Sequence, residues 1–257
     1  MCARHGPGVD EFDISKFEFL TNQVKGGGAG ATMAHSTAVE NYLKQLYLEQ
    51  QKVPGELVAM GRLATAVGVT PGTATTMVKT LHESDLVDYE PRGGVRLTDA
   101  GRKLALHVLR RHRIVETFLV NVLGLDWSEV HDEAEALEHV ISDRVLEKID
   151  KILNHPSTDP HGDPIPTALG TIEEADHADL AGCDVGGVLF IARILDQEPE
   201  FLQFLDRHGL KPGVRISISR RDEVADAITL EPEGAEAVTI GMRTASKILV
   251  QETEPAA

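Results

Sequence analysis

The sequence predicts a mainly α-helical protein with a small β-rich last third, and three observations carry that prediction. Between residues 35 and 153 the apolar residues recur mostly at helical spacing. One short stretch within that region, residues 87–101, alternates instead around a Gly-containing turn. Beyond residue 166 the runs become short and β-type, broken by Gly and Pro. A chain of 257 residues suits two or three small domains better than one large one, and 42% hydrophobic residues are enough to pack their cores.

Taken in order, residues 1–33 end in "KGGGAGAT", a flexible-linker composition, and read as a tail. "HSTAVENYLKQLYLEQQ" (35–51) offers Ser36 and Thr37 as caps and places Val39, Tyr42, Leu43, Leu46 and Tyr47 on one helical face. "VAMGRLATAVGV" (58–69) is a short helix followed by a tight turn. "TPGTATTMVKTLHESDLV" (70–87) starts with a capping Thr and a Pro at the first helical position, then carries Met77, Val78 and Leu81. "VDYEPRGGVRLTDAG" (87–101) is a strand, a turn and a second strand. Residues 98–124 form a long helix closed by Gly124, and residues 126–153 a second, with Ser128 as its cap. "NHPSTDPHGDPIP" (154–166) is too rich in Pro to be helical. "GVLFIARIL", "GVRISISR", "DAITLEP", "EAVTIG" and "SKILV" then read as strands, interrupted by the helix "EPEFLQFLDRHG".

Formal net charge is −16, which at first argues against a nucleic-acid partner. The charge is uneven, however. Residues 34–115 hold 11 Lys and Arg against 8 Asp and Glu, so the acidic excess lies elsewhere. The two cysteines, Cys2 and Cys183, form no spacing motif, which suits a reducing, cytoplasmic setting. No apolar run is long enough to span a bilayer, and no basic stretch leads into an apolar signal segment, so no membrane association is expected.

Two short helices joined by a turn and followed by a hairpin make a winged helix-turn-helix, whose second helix addresses the major groove of double-stranded DNA. The residues so placed are Thr70, Pro71, Gly72, Thr73, Thr76 and Lys79. Hydroxyls and amides there suit phosphates, and threonine methyls suit thymine methyls. Arg62, Arg92 and Arg96 are further candidates for phosphate contact. A helical subdomain with no DNA-binding role would show the same periodicity.

The second cluster is "HDEAEALEH", residues 131–139. At about 100° per residue, His131, Glu135, Glu138 and His139 share one side of a helix, with Leu137, Val140 and Ile141 on the other. On the preceding helix, His112 and Glu116 are one turn apart. Imidazoles and carboxylates without thiolate suit Mn²⁺ or Fe²⁺. The same pattern also describes a solvated helix face. The spacing fits neither H-E-x-x-H nor Glu-x-x-His.

The order of parts resembles the diphtheria-toxin-repressor family of metal-dependent transcriptional regulators, which includes iron-dependent and manganese-transport regulators. The matching stretches are "YLKQLYLEQ", "LVDYEPRGGVRLTDAGRKLA", "RRHRIVETFLV", "GLDWSEVHDEAEALEHVISDRV" and "DPHGDPIP", the last two being the most specific. The likeness runs from Thr37 to Ile165 and more weakly to Val250. It implies a homodimer with a winged helix (34–105), a helical metal-binding and dimerisation domain with a Pro-rich connector (106–167) and an SH3-like, FeoA-type β-barrel (168–257). It also implies that metal binding promotes operator binding.

Carried over by position, the implied ligands are Asn41, His112, Glu135, Glu138 and His139, with Glu116 and His131 at an ancillary site. The family's manganese branch has Glu where Glu135 stands and the iron branch has Cys, so the resemblance favours Mn²⁺, with Fe²⁺ the alternative. Asn41 stands where those branches have Asp or Met, and Lys44 replaces a second acid of the manganese branch. Ligands from the last domain would come from Asp196 to Glu200. The expected function is a metal-responsive repressor of metal-uptake genes, not an enzyme. A winged-helix regulator sensing a small organic ligand is the competing reading. A hydrolase would need a nucleophile elbow or a Gly-rich phosphate loop, and neither motif is seen.

Overall fold

The computed structural model describes residues 29–173 and 175–252, with side chains from Thr37 onward. Most of the expected N-terminal tail lies outside the described residues, but its last part does not: helix α1 (Ala29–Gln51) already starts at Ala29. The chain divides into two units, one reaching residue 108 and including 168–171, the other comprising 109–167 and the chain from 172 onward.

In the first unit α1 is followed by α2 (Met60–Val67) and α3 (Pro71–Glu83). Tyr42, Leu43, Leu46 and Tyr47 of α1 are buried, as are Leu63 and Ala64 of α2 and Ala74, Val78 and Leu81 of α3. α3 begins where the Thr-Pro pair places it: Pro71 fills the first helical position, and Thr70 Oγ1 accepts the Thr73 N–H at 3.3 Å. Strands β1 (Val87–Glu90) and β2 (Gly94–Leu97) pair antiparallel across the Pro91–Gly93 turn. The Val58 and Val95 backbones bond each other in both directions, at 2.9 and 3.0 Å. A side chain at Gly94, whose φ is +146°, would stand 2.6 Å from the Val58 carbonyl oxygen, so only glycine lets the hairpin come this close. Thr98 then opens α4 (Asp99–Asn121), its hydroxyl accepting the Gly101 N–H at 3.1 Å.

The expected single helix over 126–153 is two helices, α5 (Val130–Glu138) and α6 (Asp143–Ile152). The break is at Ser142, which is extended (φ −75°, ψ 151°) and caps α6 by accepting the Val145 N–H. A capping Ser followed by Asp is itself a start signal, which the continuous reading passed over. Ser128 is not the cap of α5 either; its hydroxyl donates to Asp126 Oδ1 at 2.6 Å, inside the turn before the helix. Helices α4 to α6 pack Ile114, Val115, Leu119, Val130, Ala134, Leu146 and Ile149 together, with Ile165 of the connector added.

The last third supplies β3 (Ala178–Asp179), β4 (Val188–Ile194), α7 (Pro199–Arg207), β5 (Arg215–Asp222), β6 (Ala227–Pro232), β7 (Val238–Gly241), a turn of helix α8 (Met242–Ala245) and β8 (Ile248–Gln251). They form a six-stranded antiparallel sheet ordered β3-β8-β4-β5-β6-β7. Its core of Ile191, Ile194, Ile216, Ile218, Ile228, Leu230 and Val250 includes Trp127, which comes from the turn before α5. β4 breaks register against β8 between Ile191 and Arg193. No helix among the described residues is long and apolar enough to cross a membrane.

The connector docks on β4 through its backbone and its acids. Ile194 N–H donates to the His161 carbonyl at 2.9 Å. Asp163 pairs with Arg193 and accepts a bond from Gln197 Nε2 at 2.7 Å. From the other side, Arg110 and Arg113 of α4 donate to the carbonyls of Pro166 and Pro164 at 2.7 and 2.6 Å. The segment is thus held between α4 and the sheet by hydrogen bonds and ion pairs, with Ile165 added to the apolar core.

Candidate metal centre and nucleic-acid face

Helix α5 is amphipathic in the reverse sense. Glu138 is fully buried at 0% exposure, whereas Leu137 and Val140 are 39% and 69% exposed. The expectation that Leu137, Val140 and Ile141 pack on the apolar side fails for Leu137 and Val140, which are exposed, and holds for Ile141, which is partly buried against the core; the fully buried apolar residues of the helix are Val130 and Ala134. An acid in a site that dry is costly unless charge and hydrogen bonds meet it.

Those partners are the predicted ones. Glu138 Oε2 stands 2.6 Å from His112 Nδ1, and its Oε1 stands 3.1 Å from His139 Nε2. The other face of His112 looks toward the ancillary residues. Its Nε2 is 2.9 Å from Glu116 Oε1 and 3.2 Å from His131 Nδ1, and His131 Nδ1 is 3.3 Å from the same Glu116 oxygen. The His112 and His131 rings meet edge-on with centroids 4.8 Å apart. Glu135 reaches toward His131, Oε1 to Nε2 at 3.7 Å. Burial by itself would raise the Glu116 carboxyl, but the charge of His112 and the hydrogen bonds from His112 and His131 outweigh it and hold Glu116 far below the usual carboxylate range.

Three groups of side chains offer ligand atoms that all lie within 4.8 Å of one another: Glu135, Glu138 and His139; His112, His131 and Glu135; and Glu116, Asp159 and His161. The first two contain five of the seven residues named from the sequence; Glu116 enters through the third, and Asn41 is in none of them. Asn41 belongs to the first unit, on α1, where its Oδ1 is buried without a hydrogen bond. Asp159 and His161 were read as connector only. Their signal was a buried-type Asp-x-His step within a Pro-rich loop, which periodicity does not detect. None of the three groups includes Asp196 to Glu200. Asp196 is instead paired with Lys247, and its Oδ1 accepts the Glu198 N–H at 3.1 Å.

The donor set fits a divalent cation. Adjacent ligand atoms around an ion with bonds of about 2.1 Å stand roughly 3 Å apart, so side chains whose ligand atoms now lie within 4.8 Å of one another would close in on the ion. It is all oxygen and imidazole nitrogen, the choice of the harder and borderline ions.

On the first unit, Thr70, Pro71, Gly72, Thr73, Thr76 and Lys79 are all exposed, at the start of α3 and along one side of it. Thr76 Oγ1 donates to the Gly72 carbonyl at 3.1 Å, and Thr70 and Thr73 share a hydroxyl bond of 2.9 Å. Their hydroxyls are thus engaged along the helix, and Lys79 is exposed one turn on from Thr76. Arg92 is exposed at the hairpin tip with φ +69°. Arg62 and Arg96 are not open cations. Arg62 binds Glu49 through Nη2 at 2.8 Å, and Arg96 pairs with Asp88 at 3.1 Å.

Three family models match in succession. They are the iron-dependent repressor N-terminal DNA-binding domain over 35–95, the iron-dependent repressor metal-binding and dimerisation domain over 98–167, and the FeoA domain over 179–252. The iron-dependent repressor IdeR of Mycobacterium tuberculosis is 30% identical over 226 residues, covering 83% of this chain and 96% of that protein. The diphtheria toxin repressor of Corynebacterium jeikeium is 36% identical over 145 residues, covering 55% of this chain and 59% of that one. Among solved structures, a manganese-dependent transcriptional repressor in complex with manganese is similar at a TM-score of 0.74 and 39% identity, covering 84% of this chain and all of that one, 100%.

Proposed function

The chain belongs to the iron-dependent repressor family, whose members are metal-dependent transcriptional repressors, and we propose that its own effector is Mn²⁺, with Fe²⁺ the alternative. The observation that carries this reading is the group Glu135, Glu138 and His139, offering ligand atoms within 4.8 Å of one another around a carboxylate with no solvent exposure. Glu135 supplies oxygen where a thiolate would select softer ions. His112 joins this set through Glu138, while Glu116 and His131 form the ancillary position. The place of Asn41 in the primary set rests on the resemblance; its buried, unbonded Oδ1 suits a carbonyl ligand.

When bound, the cation supplies positive charge that compensates the buried carboxylates. The protein residues then do the rest. Glu138 holds the His112 and His139 rings in place, and Glu116 orients His112 and His131 for the second position. α4 carries His112 and Glu116 in its second half and starts directly after the hairpin, so the segment that holds ligands is continuous with the wing. Repressor activity requires that the DNA-competent arrangement bind the cation more tightly than the other, since only differential affinity shifts a population. We further propose that the chain acts as a homodimer on operator DNA of metal-uptake genes, reading it with Thr70, Pro71, Gly72, Thr73, Thr76 and Lys79 and touching phosphate with Arg92. Arg62 would have to leave Glu49 to do the same.

The test is a gel shift with operator DNA, titrated with Mn²⁺, Fe²⁺ and Zn²⁺. Binding should appear at the lowest free concentration with Mn²⁺; no response to any of them would sink the metal reading. Thr73→Asp combined with Lys79→Glu should eliminate operator binding, leaving metal uptake and oligomeric state as in the wild type. Retained binding would show that α3 is not the reading helix. Ligating imidazoles must be unprotonated, so protons compete with the cation, and operator binding at limiting Mn²⁺ should fall from pH 7.5 to 5.5 by roughly tenfold for each imidazole that titrates. Glu116, held low, stays ionised across that window and is not the cause. Binding that is flat over this range would remove the histidines from the site.

A further inference from the structure

Resting on the DNA-binding role given to the first unit, we propose that Glu49 is an internal stand-in for a DNA phosphate. Its carboxylate keeps Arg62 and Lys52 off the duplex and so limits how tightly the chain holds any DNA. Residues 52–96 carry five Lys and Arg. Three of them are held by acids: Arg96 by Asp88, and both Arg62 and Lys52 by Glu49.

The Glu49 pairing differs from an ordinary surface ion pair, in which two exposed side chains meet and contribute little. Its carboxylate side chain is only 9% exposed, whereas those of Arg62 and Lys52 are 42% and 62% exposed. Oε2 accepts from both Nε and Nη2 of Arg62, at 3.0 and 2.8 Å, and Oε1 accepts from Lys52 Nζ at 2.6 Å. Both oxygens of one buried acid are thus taken by cations that reach in from the surface. Burial alone would raise the Glu49 carboxyl, but the hydrogen bonds and charges of Lys52 and Arg62 outweigh it and hold it below the usual carboxylate range. The anion is therefore present throughout the neutral range.

The backbone that carries it is pinned. Gln50, the next residue of α1, accepts the Leu97 N–H of β2 through Oε1 at 3.0 Å. The Lys52 and Val53 N–H groups close the helix end on the Glu49 and Gln50 carbonyls at 3.2 and 3.1 Å. Glu49 cannot follow its partners outward, so a duplex that recruits them must strip them from it. Arg62 is where such a contest arises. In helix-turn-helix geometry the helix before the reading helix crosses the DNA backbone, and Arg62 lies in the first turn of that helix, α2. Carboxylate and phosphate are the two anions a guanidinium grips best, and it cannot grip both with the same N–H groups. Phosphate contacts carry no sequence information, so the latch lowers affinity for operator and for unrelated DNA alike and leaves the reading by α3 untouched.

The test compares full-length wild type with Glu49→Gln on two duplexes, operator with saturating Mn²⁺ and a random-sequence duplex without metal, across a range of salt. Glutamine keeps the size and one acceptor oxygen and removes the charge. Dissociation constants should fall roughly tenfold on both duplexes, and the slope of log K against log salt should steepen by about 1 to 2, since each cation that reaches a phosphate adds about 0.9. Adding Arg62→Gln and Lys52→Gln to the variant should return both quantities to wild-type values. Unchanged affinity and slope overturn the latch, as does weaker binding, which would make Glu49 a support that aims Arg62 at phosphate. A gain that survives the loss of both cations overturns it too. If Glu49→Gln does not fold, Arg62→Gln in the wild-type background decides: a side chain held off the duplex is lost without effect, and a slope shallower by about 1 overturns the proposal. The functional reading fails separately. Wild-type operator binding that ignores metal, beside a Glu49→Gln gain on the random duplex, removes the metal response and supports the latch.

Discussion

Replacing Glu138 by alanine should eliminate metal-dependent operator binding, with Mn²⁺ affinity at the primary position lowered by roughly 100-fold or more, since even outer-shell partners of a metal site are worth 10- to 100-fold. Glu138 is the one carboxylate in the centre with no exposure, and it stands between two imidazoles at 2.6 and 3.1 Å. Alanine removes a ligand and also the group that orients His112 and His139. Without metal the variant should be close to wild type in fold, because it sheds a buried charge along with its partners' acceptor, two effects of opposite sign. Metal dialysis, operator gel shift and circular dichroism together read this out. Unchanged metal-dependent binding would remove α5 from the sensor.

Gly162→Ala is expected to have the largest effect on stability. Gly162 has φ +85°, and a Cβ there would overlap the Ala192 carbonyl oxygen and stand 2.8 Å from Arg193 Cα. Both obstacles are backbone and cannot swing aside. Left-handed strain of about 1–2 kcal/mol adds to the clash, and a total loss of about 3 kcal/mol places this among the larger single-residue effects. At about 2–4 °C per kcal/mol for a protein of this size, the thermal midpoint should fall by roughly 6–12 °C. An unchanged midpoint would mean that the connector does not sit on β4 as described.

The two predictions test parts of the molecule that differed in how far they could be read from sequence. The start of α3 was legible because Thr70 and Pro71 are local signals whose meaning does not depend on the rest of the fold. So was the hairpin, with its turn at Pro91–Gly93. The interruption between α5 and α6 was not, because Val140 and Ile141 continue the helical periodicity and the Ser142 cap competes with it at only about 1 kcal/mol. The inward turn of Glu138 was also hidden: an acidic face normally signals solvent, and only the placement of His112 opposite it makes burial tolerable. Asn41, His112, Glu116, His131, Glu135, Glu138 and His139 came from the resemblance and helical spacing; Asp159 and His161 sit in a loop, where no period marks which side chains point inward.

The chain contains a single tryptophan, and the fold puts it at a telling place. Trp127 stacks on His161 on one side, while Lys211 lies 5.2 Å from its ring centre. Its emission is therefore uncontaminated by any other indole and originates against the connector turn, whose His161 stacks on it and meets its carbonyl at 2.8 Å. The protein has its own built-in fluorophore, so the state of the connector turn can be followed in the unlabelled, full-length chain while operator and metal are added in either order.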